Sequence, residues 1–402
     1  MMKVTIKTYG CKVNQYESQL LRENLEKSGY QLSGYQESQL VVVNTCCVTQ
    51  KAESEAIRFV KSSMQDGKKV WLTGCGVKKE GALIKLPGVQ IFDNKDAFIN
   101  LQLAGADKIT KFYKHTRAFV KIEDGCENFC SYCIIPYVRG PVKSRRARDI
   151  IWEVENLVDN GYQEIVLTGV DLGAYGKDTG EDFVKLLESL SHTQGIQRIR
   201  LSSIEMFHLG ERLIDYLSGN GFICPHLHIP LQSGSDSILA MMKRRYTVSG
   251  YLGKLERIRK KIAGVTFTTD AMVGFPGEKE EDFKKTCSVI QQAGFLKVHI
   301  FRYSIRKETS SYRLAEHIGE VQKKERESRL KEISEKVSRK IKTEFIGYLL
   351  EVLVEKKTGK NFYGYSSNYI PVCFSSETAH LNEIVKVKAE KLQGKQLLSV
   401  AV

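Results

Sequence analysis

Residues 125–136 read GCENFCSYCIIP. Cys126, Cys130 and Cys133 stand in the spacing C-x3-C-x2-C, and the preceding RAFVKIED (117–124) has the composition of a strand. Three close thiolates on a loop can hold three corners of a [4Fe–4S] cluster and leave one iron open to a substrate. A structural zinc site brings a fourth Cys or His in matching spacing, and none lies nearby. The pattern therefore predicts a redox or group-transfer loop at the C-terminal end of a strand, the edge where α/β sheets and barrels place their chemistry.

Downstream of this loop, strand-like runs alternate with helical ones. They are QEIVLTGV (163–170), QRIRLSS (197–203), HLHIPLQ (226–232), VTFTTDAMVG (265–274) and KVHIFRYS (297–304), with stretches such as ARDIIWEVENLVDNG (147–161) between them. With RAFVKIED this makes six βα units, the rhythm of a parallel, partly closed barrel over residues 111–340. The strand ends carry TGVD (168–171), SSIE (202–205), LQSGSD (231–236) and GFPGE (274–278). Glycines there permit close backbone approach, and Asp171, Ser203 and Glu205 offer hydrogen-bonding partners for a polar ligand.

Upstream, residues 1–110 alternate strands KVTIKTY (3–9), LVVV (40–43) and KVWL (69–72) with helices such as NQYESQLLRENLEKSGY (14–30), which stops at Gly29. This predicts a parallel α/β sandwich. Each strand ends on a small residue and a cysteine: Gly10-Cys11, Thr45-Cys46, Gly74-Cys75. About one βαβ period separates them, so the three thiols converge on one sheet edge. An iron–sulfur cluster with a free iron and a zinc ion with three cysteines and water both satisfy that count. In NTCCVT (44–49) Cys46 has the phase of Cys11 and Cys75, and Cys47, one residue on, is expected to point elsewhere.

The last segment, 341–402, follows a long charged helix over 322–345 and reads as short strands with turn signals, a small all-β barrel. Phe362, Tyr363, Tyr365 and Tyr369 are interleaved with lysines, a pattern suited to RNA. The net charge of +14 and pI near 9.1 point to a polyanion. Arg139, Lys143, Arg145, Arg146 and Arg148 form an acid-free run, and Lys243, Arg244 and Arg245 precede Tyr246; both groups are candidate nucleic-acid phosphate contacts. Ten cysteines, no apolar run of the ~20 residues that spans a bilayer, and a strand-like N-terminus without a signal peptide's apolar core lead to the expectation of a cytoplasmic protein whose thiols bind metal or do chemistry.

Taken in order, YGCKVNQYES (9–18), VVNTC (42–46), LTGC (72–75), GCENFCSYCIIPYVRG (125–140), EIVLTGVDLGAYG (164–176), LHIPLQSGS (227–235) and VGFPGE (273–278) resemble the methylthiotransferase family of radical S-adenosylmethionine (SAM) enzymes. The resemblance spans essentially the whole chain. It implies an N-terminal cluster domain, a TIM-like radical SAM barrel and a C-terminal TRAM barrel. It implies that Cys126, Cys130 and Cys133 hold the cluster that cleaves SAM, and that Cys11, Cys46 and Cys75 hold an auxiliary [4Fe–4S] cluster. Gly169, Asp171, Ser203, Glu205, Gln232 and Gly274 become the candidate SAM contacts. In the family one SAM methylates a sulfur of the auxiliary cluster, and another yields the radical that removes hydrogen from an unactivated carbon. The implied partners are a tRNA anticodon stem-loop and an electron donor such as flavodoxin or ferredoxin. GCKVNQYES is similar to the branch that acts at C2 of N6-threonylcarbamoyladenosine at tRNA position 37. The neighbouring branches modify isopentenyladenosine or a ribosomal-protein aspartate. A non-catalytic, metal-dependent RNA-binding protein is the reading from a different class. Cys47 and Glu308 depart from the family pattern.

Overall fold

The computed structural model describes residues 1–78, 83–92 and 107–402. The N-terminal sheet has five parallel strands in the order Gln31–Leu32, Lys3–Thr8, Leu40–Thr45, Lys69–Gly74, Val89–Ile91. Leu40–Thr45 lies at its centre with every residue buried. Val41 and Val43 pack against Ala56 and Val60 on one face, and Leu40 and Val42 against Leu21 and Leu25 on the other. That two-sided burial is why the strand reads as a continuous apolar run. Thr49 caps the helix Gln50–Gln65 by accepting the Ala52 amide at 3.2 Å, so this helix starts directly behind the Cys46 edge.

The six barrel strands lie where the alternation places them. Arg117–Lys121, Glu164–Thr168 and Arg198–Leu201 form one parallel sheet, and His226–His228, Thr266–Val273 and Lys297–Arg302 another. The bridges Ile199–Ile223 and Ser203–His228 join them into an open barrel. Two strands are shorter than their runs. RAFVKIED leaves the sheet after Lys121, and Glu123–Asp124 pairs antiparallel with Lys143–Ser144. HLHIPLQ is regular only over His226–His228, because Pro230 has no N–H to give the ladder. The helix Glu320–Thr343 packs on Lys297–Arg302 and on Glu280–Ala293, with the buried Arg326 bonded to Glu278 at 2.6 Å.

Residues 349–401 close into a five-stranded barrel, in the order Leu349–Thr358, Asn361–Ser366, Pro371–Ser375, Gln396–Ala401, Ile384–Gln393. Its aromatic residues are used differently from the expectation. Phe362 is in the barrel core, stacked on Phe374 with centroids 5.7 Å apart. Tyr365 and Tyr369 stack on each other and cover the Arg117 guanidinium, Tyr369 also that of Arg200, so they face the central barrel. Among the described residues no helix is long and apolar enough to cross a membrane.

Candidate functional site

Cys11, Cys46 and Cys75 follow three adjacent strands of the N-terminal sheet and emerge on one edge. Two short locks set that edge. Asn14 donates to Asn44 Oδ1 at 2.9 Å and to the Thr45 carbonyl at 3.1 Å, while Asn44 donates back to the Asn14 carbonyl at 3.0 Å. Gly74 has φ +91°, and a Cβ there would sit 2.2 Å from Asn44 Oδ1, so only glycine lets Cys75 reach the edge. The Cys11 thiol donates to Asn14 Oδ1 at 3.3 Å, and the Val48 amide donates to Cys46 Sγ at 3.4 Å. Burial, with Cys11 and Cys75 close by, pushes the Cys46 thiol up to about 11. Cys47 does not point away from this group. It is fully buried against Cys75, Ile134 and Val138, and its thiol is hydrogen-bonded to Cys75. The alternation that separates Cys46 from Cys47 ends with the strand at Thr45, and the turn beyond brings both to the same edge.

The second triad sits on the loop after the first barrel strand. Gly125 has φ +85° and a Cβ on it would be 2.0 Å from the Pro141 carbonyl. That close approach lets the Cys126 amide donate to the Gly140 carbonyl at 3.0 Å. The Cys133 amide donates to the Cys130 carbonyl at 3.0 Å, and the Ser131 amide to the Met242 carbonyl at 3.1 Å. Burial pushes the Cys126 and Cys133 thiols up to about 12. All ten cysteines are free. Among the described residues no group of three Cys, His, Asp or Glu side chains is placed to hold a metal ion; thiols are the donor type that a [4Fe–4S] cluster takes, and they lose their protons on ligation.

A cavity of about 160 Å³ lies between the two loops, lined by Val48 and Thr49 on one side, Tyr132 and Cys133 on the other, and Gln232, Asp270 and Met272 at its base. Gln232 holds a left-handed backbone with φ +65° and its carbonyl accepts the Met272 amide at 2.8 Å. Asp270 is held low, despite its burial, by His228 and His299 at 3.3 and 3.5 Å.

The other candidate cofactor residues have distinct positions. Asp171 accepts from Asn128 of the cysteine loop at 3.0 Å and lies 3.2 Å from His208 Nε2. Ser203 bridges to His228 at the seam of the barrel. Glu205 accepts from Arg244 at 3.0 Å, and Arg244 Nη1 also reaches Cys130 Sγ at 3.4 Å. Gly169 makes room for Glu123, whose carboxylate oxygen would be 2.0 Å from a Cβ there. Glu123 accepts the Asp171 amide at 2.6 Å, and burial pushes its carboxyl up to about 8. Gly274 backs onto Lys323 of the long helix, and the adjacent Phe275 packs in one cluster with Tyr132 of the cysteine loop. The structure thus gathers Asp171, Glu205 and Gln232 around the loop, and at Gly169 and Gly274 leaves no room for a side chain.

Three of the expected phosphate-binding residues are corrected. Arg139 is 4% exposed and bonds Glu17 and Asp124 at 2.9 and 2.8 Å. Arg145 pairs with the fully buried Glu153 at 2.5 Å, and Arg244 with Glu205. Their acids lie outside the run, Glu153 eight residues beyond Arg145, Asp124 fifteen before Arg139, and Glu17 and Glu205 in other segments, so an acid-free run did not reveal them. Lys143, Arg146, Arg148, Lys243 and Arg245 are exposed. Sequence reasoning missed three exposed aromatic rings: Phe129 and Tyr137, with centroids 6.0 Å apart, and Phe207 under Arg245.

A parallel barrel with three thiols on the loop of its first strand defines a radical SAM enzyme, and residues 120–290 match the model of the Radical SAM superfamily. Residues 3–92 match the model described as uncharacterized protein family UPF0004. The radical SAM methyltransferase TsrM from Kitasatospora setae shares the fold, with a TM-score of 0.57 at 15% identity over 78% of this chain and 75% of that one. The threonylcarbamoyladenosine tRNA methylthiotransferase MtaB of Bacillus subtilis is 34% identical over 97% of this chain and 94% of its own. Its Thermotoga maritima namesake is 35% identical over 98% and 96%. A tRNA-2-methylthio-N(6)-dimethylallyladenosine synthase of Alkaliphilus oremlandii is 33% identical over 96% and 90%. The chain belongs to the radical SAM methylthiotransferase family.

Proposed function

We propose that this enzyme adds a methylthio group to C2 of N6-threonylcarbamoyladenosine at position 37 of tRNA. Residues 1–110 carry the auxiliary site, 111–340 the SAM-cleaving barrel and 341–402 an RNA-binding unit. The observation that carries this reading is the pair of thiol triads on facing loops with one cavity between them. An unactivated C–H bond is beyond acid–base side chains, so the cofactors must supply the difficult step. When bound, two [4Fe–4S] clusters and SAM supply the hydrogen-abstracting radical and the methylthio sulfur.

The chain's own residues hold and orient. Cys126, Cys130 and Cys133 ligate at the barrel, and Cys11, Cys46 and Cys75 at the sheet edge. Asn128 and Asp171 fix the cysteine loop, and Gln232 lines the cavity where SAM and the base meet. Lys143, Arg146, Arg148, Lys243 and Arg245 neutralise anticodon-stem phosphates, with Phe129, Tyr137 and Phe207 available for stacking. A flavodoxin or ferredoxin delivers the electrons, in the cytoplasm.

Lys12 supports the threonylcarbamoyl substrate over the dimethylallyl one. It follows Cys11 directly, and burial holds its ammonium below the ordinary lysine range, with Tyr369 favouring the charge and Arg117 and Arg200 opposing it; Asp270 and His299 also feel that charge. A threonyl carboxylate would pair it, and an apolar substituent would leave it unpaired. The test is incubation of anaerobically reconstituted protein with SAM, reductant and tRNA carrying either nucleoside. The 2-methylthio product is expected on threonylcarbamoyl-adenosine; product only on the dimethylallyl form would assign the neighbouring branch.

A further inference from the structure

The helical turn Ile135–Arg139 follows directly on Cys133 and runs back to the N-terminal sheet. Ile134 and Val138 pack on Cys47 and Cys75. At its end, neighbouring residues touch both thiol triads. The Gly140 carbonyl accepts the Cys126 amide, and Arg139 Nε–H donates to Cys75 Sγ at 3.1 Å. Every remaining edge of that guanidinium is occupied. Nη1 bonds Asp124, two residues before Cys126, at 2.8 and 3.0 Å, and Glu17 at 2.9 Å; Nη2 reaches Glu17 at 3.2 Å and Asn14 Oδ1 at 3.4 Å. Asn14 Oδ1 is also the acceptor of the Cys11 thiol. Lys121 shares both carboxylates, at 3.1 and 3.3 Å. Arg139 is therefore a buried planar fork with one arm committed to a cysteine of the N-terminal triad and the others to Glu17, Asp124 and Asn14.

We propose that Arg139 is a positioning residue that sets the reduction potential of the auxiliary cluster and registers it against the SAM-cleaving loop. This rests on the two-cluster reading above. A hydrogen bond from a fixed cationic donor to a ligating sulfur stabilises the electron-rich, reduced cluster and raises its potential. Arginine suits the role better than lysine because three directions must be satisfied in one plane. Arg244 stands in the matching place at the other triad, donating to Cys130 while clamped by Glu205, so each cluster site has its own arginine donor.

The experiment is an EPR-monitored redox titration of reconstituted holoenzyme, with iron and sulfide content measured on the same samples. Two clusters in the unmutated enzyme test the underlying reading separately. Arg139→Gln is expected to move the auxiliary midpoint to more negative potential and leave the SAM-binding cluster unmoved, and Arg139→Lys to fall between. A fully loaded Arg139→Gln variant with an unshifted auxiliary midpoint would overturn the proposal. Should that variant hold no auxiliary cluster, pulsed EPR of Arg244→Lys enriched in ¹⁵N-arginine carries the test. A nitrogen coupling on the reduced auxiliary signal is expected, and its absence would overturn the assignment.

Discussion

Arg198 Nε lies 2.7 Å from Glu164 Oε2, two ionised side chains on neighbouring parallel strands, 4% and 0% exposed. Arg200 Nε binds the other oxygen at 2.7 Å. Both arginines then reach past the barrel: Arg198 donates to the carbonyls of Glu351 and Tyr365, and Arg200 to those of Ser366 and Ser367. Glu164 thus orients the two cations that pin the C-terminal barrel in place. Glu164→Gln leaves two buried guanidinium groups undercompensated, and the expected loss is about 3–5 kcal/mol in urea unfolding. Early proteolytic release of residues beyond 349 should accompany it.

The same pair sets an acid limit. Despite burial, Arg200 and Arg198 hold the Glu164 carboxyl down at about 2. A carboxyl whose folded pKa lies below its unfolded value of about 4.3 contributes its full stability above the unfolded value and loses it as pH falls through the folded one. The thermal midpoint should therefore drop between about pH 4 and 2, and Glu164→Gln should flatten that limb. A limb of equal steepness in both proteins would remove Glu164 as its source.

At the auxiliary edge, Cys46→Ala is expected to lose the auxiliary cluster, about half of the bound iron, and all methylthio transfer, while still cleaving SAM. Cys47→Ala should keep both clusters, with a modest fall in thermal midpoint from the gap beside Cys75, Ile134 and Val138. Iron and sulfide analysis alongside 5′-deoxyadenosine formation decides it. Loss of the cluster in Cys47→Ala and its retention in Cys46→Ala would exchange the two roles.

Much of this was legible in the sequence for physical reasons. LVVV announced a strand buried on both faces, the six barrel strands stood out by their alternation with helices, and C-x3-C-x2-C needs no partner from elsewhere. What escaped was what depends on distant segments. Arg139, Arg145 and Arg244 looked like a phosphate surface because Glu17, Asp124 and Glu205 lie outside that run, and because the turn of the next helix that brings Glu153 back onto Arg145 is not read from an acid-free stretch. Phe362 and Tyr369 looked like RNA-binding side chains because barrel closure and docking do not show in local spacing. Cys47 was misplaced because strand phase stops meaning anything once the strand ends.

That difference between surface and buried arginines can be measured. Replacing Arg146, Arg148 or Lys143 by Ala should weaken tRNA binding and flatten the log–log salt slope by about 0.7–0.9 for each phosphate no longer neutralised. Arg145→Ala should leave the slope alone and instead cost about 3 kcal/mol of stability, because the buried Glu153 loses the cation that compensates it. Unchanged slopes for all three exposed residues would place the tRNA elsewhere.

Lys12→Gln should lower kcat/KM on threonylcarbamoyl-adenosine tRNA about tenfold or more, the worth of one charge-assisted hydrogen bond, with cluster content and uncoupled SAM cleavage preserved. Lys12→Arg should recover part of the loss. An unchanged kcat/KM would detach Lys12 from the substrate.

The central claim is tested most directly by mass spectrometry of tRNA nucleosides from cells with and without this gene. Removal of the gene should abolish 2-methylthio-N6-threonylcarbamoyladenosine and let its unthiolated precursor accumulate, with the dimethylallyl nucleosides unchanged. Unaltered threonylcarbamoyl nucleosides and loss of the 2-methylthio dimethylallyl form would contradict it.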